Sequence, residues 1–327
     1  MNAARSRIVR RAVHGVLLLD KAFGVSSNAA LQQAKRLYRA DKAGHTGTLD
    51  PLATGLLPLC FGAATKFAQV SLDADKRYLA TLQLGVTTTT GDGEGTVVHK
   101  RDVSVSRADV EAACARFVGA IRQLPPMHSA LKHEGKPLYD YARAGIEIER
   151  EPRTITIHAI GLVEGGGEGD RWTLDISCSK GTYIRTLAED IGEALGCGSH
   201  LAALRRTGSG RLGIAAALNI DRLEGLSPTE LDALLLPTDA LVADWPKVTL
   251  STEDAGRFLA GVRRRLTLAD APAVRVYGPG GAFLGTGHVA GGELIATRLL
   301  SPAEVAAVSG VPTVPGPRIE ESESLLS

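Results

Sequence analysis

Aromatic side chains are scarce in this chain of 327 residues: phenylalanine, tyrosine and tryptophan together make up 4%, against 44% hydrophobic residues overall. Such a core is built from aliphatics and alanine, and the length suits one large domain plus a smaller one. Cysteine is scarce too. Cys60, Cys114, Cys178 and Cys197 form neither a C-x-x-C pair nor a disulfide-like rhythm, so isolated buried thiols in a reducing compartment are expected. None of the eight histidines is spaced H-x-x-x-H, which leaves a metal-dependent hydrolase without its ligand pattern. No apolar run approaches the length of a membrane span. The basic N-terminus before Val16-Leu17-Leu18-Leu19 imitates a signal peptide, but Asp20 and Lys21 cut the apolar core short and no small-residue cleavage site follows. A soluble, cytoplasmic protein is expected.

An excess of charge of one sign is missing as well, the formal net charge being +1. Overall charge therefore does not announce a nucleic-acid binder, although local charge is uneven. Arg5, Arg7, Arg10 and Arg11 crowd the N-terminus, Arg205, Arg206 and Arg211 lie close together, and Arg263, Arg264 and Arg265 are consecutive. Clusters of this kind suit phosphates, though most arginine runs are solvated surface.

Periodicity organises the rest. Val16 to Leu19 reads as a buried strand, and Ser26 as the cap of a helix with Ala30, Leu31, Ala34, Leu37 and Tyr38 on one face. Leu57 to Phe61 is strand-like, and Arg77 to Leu84 alternates with Tyr78, Ala80, Leu82 and Leu84 on one side. Thr87 to Gly95 is a polar loop containing Asp92. Residues 124–152, with Pro125-Pro126, Gly135-Lys136-Pro137 and balanced charges, look like an excursion from the core. Strands Thr154–Ile160 and Trp172–Cys178 flank a glycine tract, Gly165 to Gly169, that reads as a mobile hairpin loop. A helix follows, with Ile184, Leu187, Ala188, Ile191 and Leu195 on one side. Pro237 and Trp245-Pro246 mark a boundary. Beyond it lie a short helix and β-rich segments of the kind found in a small barrel, then a proline-spaced acidic tail expected to be disordered.

The most informative stretch is Gly44-His45-Thr46-Gly47-Thr48-Leu49-Asp50-Pro51-Leu52-Ala53-Thr54-Gly55. Pro51 biases Asp50 away from helical backbone, setting the acid at a sharp turn, and the glycines let backbone or ligand come close. Taken alone, an Asp-Pro pair reads as a helix cap. The whole segment, however, closely resembles the active-site motif of TruB-type tRNA pseudouridine-55 synthases, whose aspartate at this place is the catalytic nucleophile. Further segments resemble the same family in order and at family-like spacing over roughly residues 15–215. They are Asp20-Lys21-Ala22-Phe23-Gly24-Val25-Ser26-Ser27, where Ala22 replaces the usual proline; Asp75-Lys76-Arg77-Tyr78; Lys180-Gly181-Thr182-Tyr183-Ile184-Arg185-Thr186-Leu187; His200-Leu201-Ala202-Ala203-Leu204-Arg205-Arg206-Thr207; and Pro125 to Lys132, with His128 where tyrosine is commoner.

The resemblance implies an α+β pseudouridine-synthase fold with a mixed, mainly antiparallel sheet flanked by helices, plus a small C-terminal PUA-like β-barrel. The implied organisation is a basic tail over residues 1–12, a catalytic domain over 13–246 with an RNA-clamping insertion at 124–152, an RNA-binding module over 247–312 and a disordered tail over 313–327. It further implies isomerisation of uridine 55 in the T-loop of tRNA, with Asp50 as nucleophile, Arg185 as its partner and Tyr78 against the uracil. Tyr183 and Leu204 complete an apolar slot, His45 contacts the RNA, and Lys66 and Asp92 fit substrate-binding positions. No cofactor and no metal are implied, the RNA being the partner and the enzyme a monomer. The competing possibility is a non-catalytic RNA-binding or RNA-folding protein of the same fold, which has no need of the Asp50, Tyr78 and Arg185 set. Chemistry independently favours that set. An aspartate near phosphates and out of water loses nucleophilicity as its pKa rises, and an arginine in the first turn of a helix is disfavoured by the macrodipole unless an anion meets it. The alternative partner of Arg185 is Glu189 at i+4.

Overall fold

The computed structural model describes residues 9–309, without the side chains of 164–168. Its larger sheet has nine strands: β1 (Gly15–Lys21), β2 (Ala43–His45), β3 (Ala53–Phe61), β4 (Lys76–Leu84), β5 (Gly119–Gln123), β6 (Arg153–Glu168), β7 (Arg171–Cys178), β8 (Ser199–Ser209) and β9 (Leu212–Gly213). The main path runs β1-β3-β8-β4-β7-β6-β5, with β2 beside β3 and β9 beside β8. The β3–β8 pairing is parallel and the others in this sheet are antiparallel.

The two faces of this sheet explain two kinds of strand sequence. β1 is a continuous apolar run because both its sides are covered. Leu17 and Leu19 enter one core with Leu57, Leu59 and Phe61, while Val16 and Leu18 enter another with Leu56 and Cys60. Burying each such side chain contributes about 1.5–3 kcal/mol. β4 instead alternates, with Tyr78, Ala80, Leu82 and Leu84 buried and the residues between them more open. The helix Ser27–Leu37 starts where Ser26 accepts a hydrogen bond from the Ala29 amide, and it buries Ala30, Leu31 and Ala34. Tyr38 ends it, stacked on Phe61 with ring centroids 4.8 Å apart.

The C-terminal strands form a separate curled sheet of five, Lys247–Thr249, Ala271–Tyr277, Phe283–Ala290, Glu293–Leu299 and Arg264–Arg265 in that spatial order. Tyr277, Phe283, Leu300 and Val308 pack in the same cluster as Val16 and Leu18, so an apolar core spans the sequence boundary near Pro246.

Several expectations change. Most of the glycine tract is strand and not loop: β6 runs on to Glu168 opposite Arg171, because β7 offers its edge that far, and only the last glycine of the tract enters the turn at Gly169-Asp170. Segment 124–152 holds a small hairpin, Lys132–His133 against Lys136–Pro137, and a helix Leu138–Arg143. Arg11 is not part of a loose basic tail, since its guanidinium grips Asp232 at 2.6 and 2.7 Å. The expected disordered tail, 313–327, lies outside the described residues. Among those residues, no helix is long and apolar enough to cross a membrane.

Candidate active site

Asp50 sits between β2 and β3, and its carbonyl accepts from the Ala53 amide, so the chain turns directly into β3 and no helix follows Pro51. The loop is pinned from behind. The Ser27 hydroxyl bonds both the amide and the carbonyl of Leu49, and Lys21, 1% exposed, donates to Val25 O at 2.6 Å and Pro51 O at 3.4 Å. The carboxylate itself remains 45% exposed at the rim of a cavity of about 300 Å³.

Arg185 occupies the first turn of the helix Ile184–Ala194 and is buried. Its Nη2 lies 3.0 Å from Asp50 Oδ2 and donates to His128 O at 2.6 Å, while Nη1 donates to Thr90 O at 3.2 Å and lies 3.6 Å from Asp92 Oδ2. The cation that the helix terminus disfavours is thus met by two carboxylates and two carbonyls. Its partner is Asp50 and not Glu189, whose carboxyl burial pushes above its ordinary range.

Tyr78, Tyr183 and Leu204 line the same cavity as Asp50 and Arg185. Tyr78 comes from the buried face of β4, and burial raises its phenol pKa while the neighbouring Arg206 works against that rise. Tyr183 caps the helix that carries Arg185. Its phenol is raised by burial, with Ser129, Arg153 and Arg185 opposing the shift. Leu204 arrives on β8 beside Ala53 and Ala80. On the other side of Asp50 lies a second hollow of about 500 Å³, lined by His45, Thr90, Asp92, Glu94, His128, Tyr139 and Arg143 among others. His45 Nδ1 is buried there without a hydrogen-bond partner, and burial lowers the imidazole pKa.

Two expected substrate contacts are placed differently. Lys66 does not reach either hollow: its ammonium donates to Leu299 O at 2.8 Å and to Glu304 at 2.5 Å, tying the C-terminal sheet to the main one. Asp92 borders the second hollow but is only 3% exposed, and its oxygens are engaged with Thr90, the Glu94 amide and Arg185. It supports the arginine from behind. The arginine clusters are also largely committed, Arg205 to Asp20, Arg264 to Asp254 and Arg206 to the interior. The sequence shows Arg206 only as one of an arginine cluster suited to phosphates, and it does not single out Gln123. Both are buried polar residues inside strands, where periodicity carries no signal for them.

Family models match the chain in three consecutive stretches. "TruB family pseudouridylate synthase (N terminal domain)" covers residues 35–184, "tRNA pseudouridylate synthase B C-terminal domain" 185–243, and "Pseudouridine synthase II TruB, C-terminal" 246–300. A protein named tRNA pseudouridine synthase B from Verminephrobacter eiseniae (strain EF01-2) is 54% identical over 94% of this chain and 94% of its own length. The chain belongs to the TruB family of pseudouridine synthases. A second relative of the same name, from Burkholderia mallei (strain ATCC 23344), is 56% identical over 90% of this chain and 97% of its own. The fold is shared more widely. A chain in an H/ACA RNP bound to a substrate RNA containing 2'-deoxyuridine matches with a TM-score of 0.67 at 22% identity, covering 89% of this TruB-family chain and 86% of that one. A chain of a Cbf5-Nop10-Gar1 complex matches at 0.65 and 23% identity, over 95% and 84%. With these neighbours, the mixed sheet, its flanking helices and the curled C-terminal sheet constitute the α+β pseudouridine-synthase fold.

Proposed function

We propose that this protein converts uridine 55 in the T-loop of tRNA to pseudouridine, with Asp50 as the nucleophile acting on a flipped-out base. The observation that carries the reading is the 3.0 Å contact between Arg185 and Asp50 at the rim of a cavity shared with Tyr78, Tyr183 and Leu204. Isomerisation breaks the N-glycosidic bond, turns the uracil and joins C5 to the ribose, with no net redox change. It needs an ionised carboxylate at the sugar or ring, and a slot that holds a planar base while it turns. Arg185 meets the Asp50 carboxylate at 3.0 Å and fixes the direction of its oxygens. The two tyrosine rings and Leu204 supply the slot, and Tyr78 stands as the base for the C5 proton.

A T-loop uridine is stacked, so extruding it costs a few kcal/mol, and loop shape with unstacked bases provides the recognition. The second hollow, with His45 at its floor, suits the RNA beside the vacated position. Residues 124–152 overhang both hollows through His128, Ser129, Ala130 and Tyr139, which suits a clamp on the loop. The C-terminal sheet is proposed as a PUA-like RNA contact, and the enzyme as a cytoplasmic monomer that acts without cofactor.

The test is an RNA hairpin copying the T-stem and loop, incubated with wild-type protein and with Asp50→Asn. Pseudouridine at the uridine equivalent to 55, lost in the variant while RNA affinity stays near wild type, is the expected result, because phosphate contacts dominate affinity. Turnover by Asp50→Asn above a small fraction of wild type overturns the nucleophile assignment. An unmodified hairpin alongside modified full-length tRNA overturns recognition through the T-arm alone.

A further inference from the structure

Arg206 is a buried cation with an unusual set of partners. It is 1% exposed, yet among the described residues no carboxylate lies within ion-pair distance of it. Its Nε donates to Leu56 O at 2.7 Å and its Nη2 to Gly47 O at 3.1 Å. These carbonyls lie on opposite sides of Asp50, one in the approach to the nucleophile and one in β3 beyond it. Burying such a charge is costly unless something compensates it.

The surroundings are shaped to admit it. Gly55 pairs with Arg206 across the parallel β3–β8 seam, and a Cβ there would meet Arg206 O at 2.3 Å. A Cβ on Gly47 would sit 3.4 Å from Arg206 Nη1. Two glycines of the Asp50 motif thus clear space for one arginine. On its other edge β8 places Arg206 directly opposite Tyr78 in the antiparallel register with β4, and both side chains line the cavity.

We propose that Arg206 is the positioning residue for Tyr78, holding the phenol oxygen over the flipped base for removal of the C5 proton. The inference rests on the synthase reading above. After C5 has bonded to C1′, the Tyr78 oxygen takes the C5 proton. The C–H pair closes the C5=C6 double bond, the N1=C6 π pair moves to N1, and N1 takes a proton from water. Burial opposes the charged phenolate, and the Arg206 guanidinium is the group beside Tyr78 that offsets it. Lys76, another cation lining the cavity, is bound to Ser71 O and Ala74 O, and burial lowers it to about 8. Burial lowers the Arg206 guanidinium itself and Tyr78 pulls against that drop, but a guanidinium starts far enough above neutral pH to stay the more readily charged of the two cations.

The experiment compares wild type, Arg206→Gln, Arg206→Lys, Tyr78→Phe and the double variant Tyr78→Phe/Arg206→Gln on the T-arm hairpin, with 5-deuterouridine or uridine at the target. Both arginine variants are expected to bind the hairpin within a few-fold of wild type. Their kcat should fall by about 100-fold, the lower end of what a positioned proton-transfer group contributes. A deuterium isotope effect at C5 should emerge or grow, and the double variant should be no slower than Tyr78→Phe alone. Arg206→Lys keeps a buried cation and carries the test if Arg206→Gln does not fold. Lowered kcat with an unchanged isotope effect, or independent multiplying losses in the double variant, overturns the proposal and leaves Arg206 a structural residue. Wild type failing to make pseudouridine in either the hairpin or full-length tRNA would instead sink the synthase reading itself.

Discussion

Gln123 holds Tyr183 through both ends of its side-chain amide: Nε2 donates to Tyr183 O at 3.0 Å, and Oε1 accepts from the Tyr183 amide at 2.8 Å. The last residue of β5 thereby continues the sheet's hydrogen bonding onto the residue before the Arg185 helix. The tyrosine that lines the Asp50 cavity thus has its backbone clamped.

Gln123→Ala should therefore cost about 1–3 kcal/mol, the penalty for stranding the Tyr183 amide, while the Tyr183 carbonyl keeps its bond from the Leu187 amide. Urea unfolding measures it, and a loss within experimental error of zero would mean that water replaces the amide freely.

Arg185→Lys should lower kcat on the order of 100-fold, as expected for a sub-ångström to ångström misplacement at a catalytic centre. A lysine ammonium cannot span Asp50, Asp92, Thr90 O and His128 O, which the planar guanidinium reaches with two nitrogens. Single-turnover kinetics on the hairpin decide it, and near-normal rates would show that charge alone suffices.

Lys21 ties stability to pH. Burial pushes its ammonium from 10.5 down to about 8, against the pull of Asp50. Between those values the unfolded chain binds a proton that the folded chain does not, so this group makes the fold more stable as pH rises through the window. Lys21→Met removes the titration. The stability of wild type minus that of the variant should grow from about pH 8 toward 10.5, and a gap that is flat across the range would contradict the assigned burial effect.

Residues 124–152 should exchange their amide hydrogens rapidly in the free protein and slow markedly when the hairpin RNA is added. Within the segment, Ser129 and Leu138 are buried while Leu124 and Ile146 are exposed, so it has little apolar burial to set against the entropy of being fixed. Strong protection without RNA would make it ordinary core.

The residues that meet at the cavity are legible in the sequence where they lie within local motifs. Asp50 was marked by its proline and flanking glycines, and Arg185 by a charge that conflicts with its helix end. Tyr78 lay on the buried face of an alternating strand. What could not be read locally depends on register. Arg206 becomes central because a strand near residue 200 lies between two strands that start before residue 80, and no periodicity encodes that insertion. Lys66 fitted a family position, but its reach to Glu304 follows from how the C-terminal sheet packs. Gln123 bonds a backbone sixty residues away.

The central place of β8 also sets when the molecule becomes competent. A nascent chain ending with the helix Ile184–Ala194 holds two half-sheets, β1-β3 with β2 and β4-β7-β6-β5, with no strand to join them. Asp50 belongs to one half and Tyr78 to the other. Only when Ser199–Ser209 emerges and threads between β3 and β4 do Asp50 and Tyr78 acquire a fixed separation. Long-range pairings of this kind are late and slow steps in folding. Asp50 and Tyr78 therefore come to face one cavity only after Ser199–Ser209 has been made.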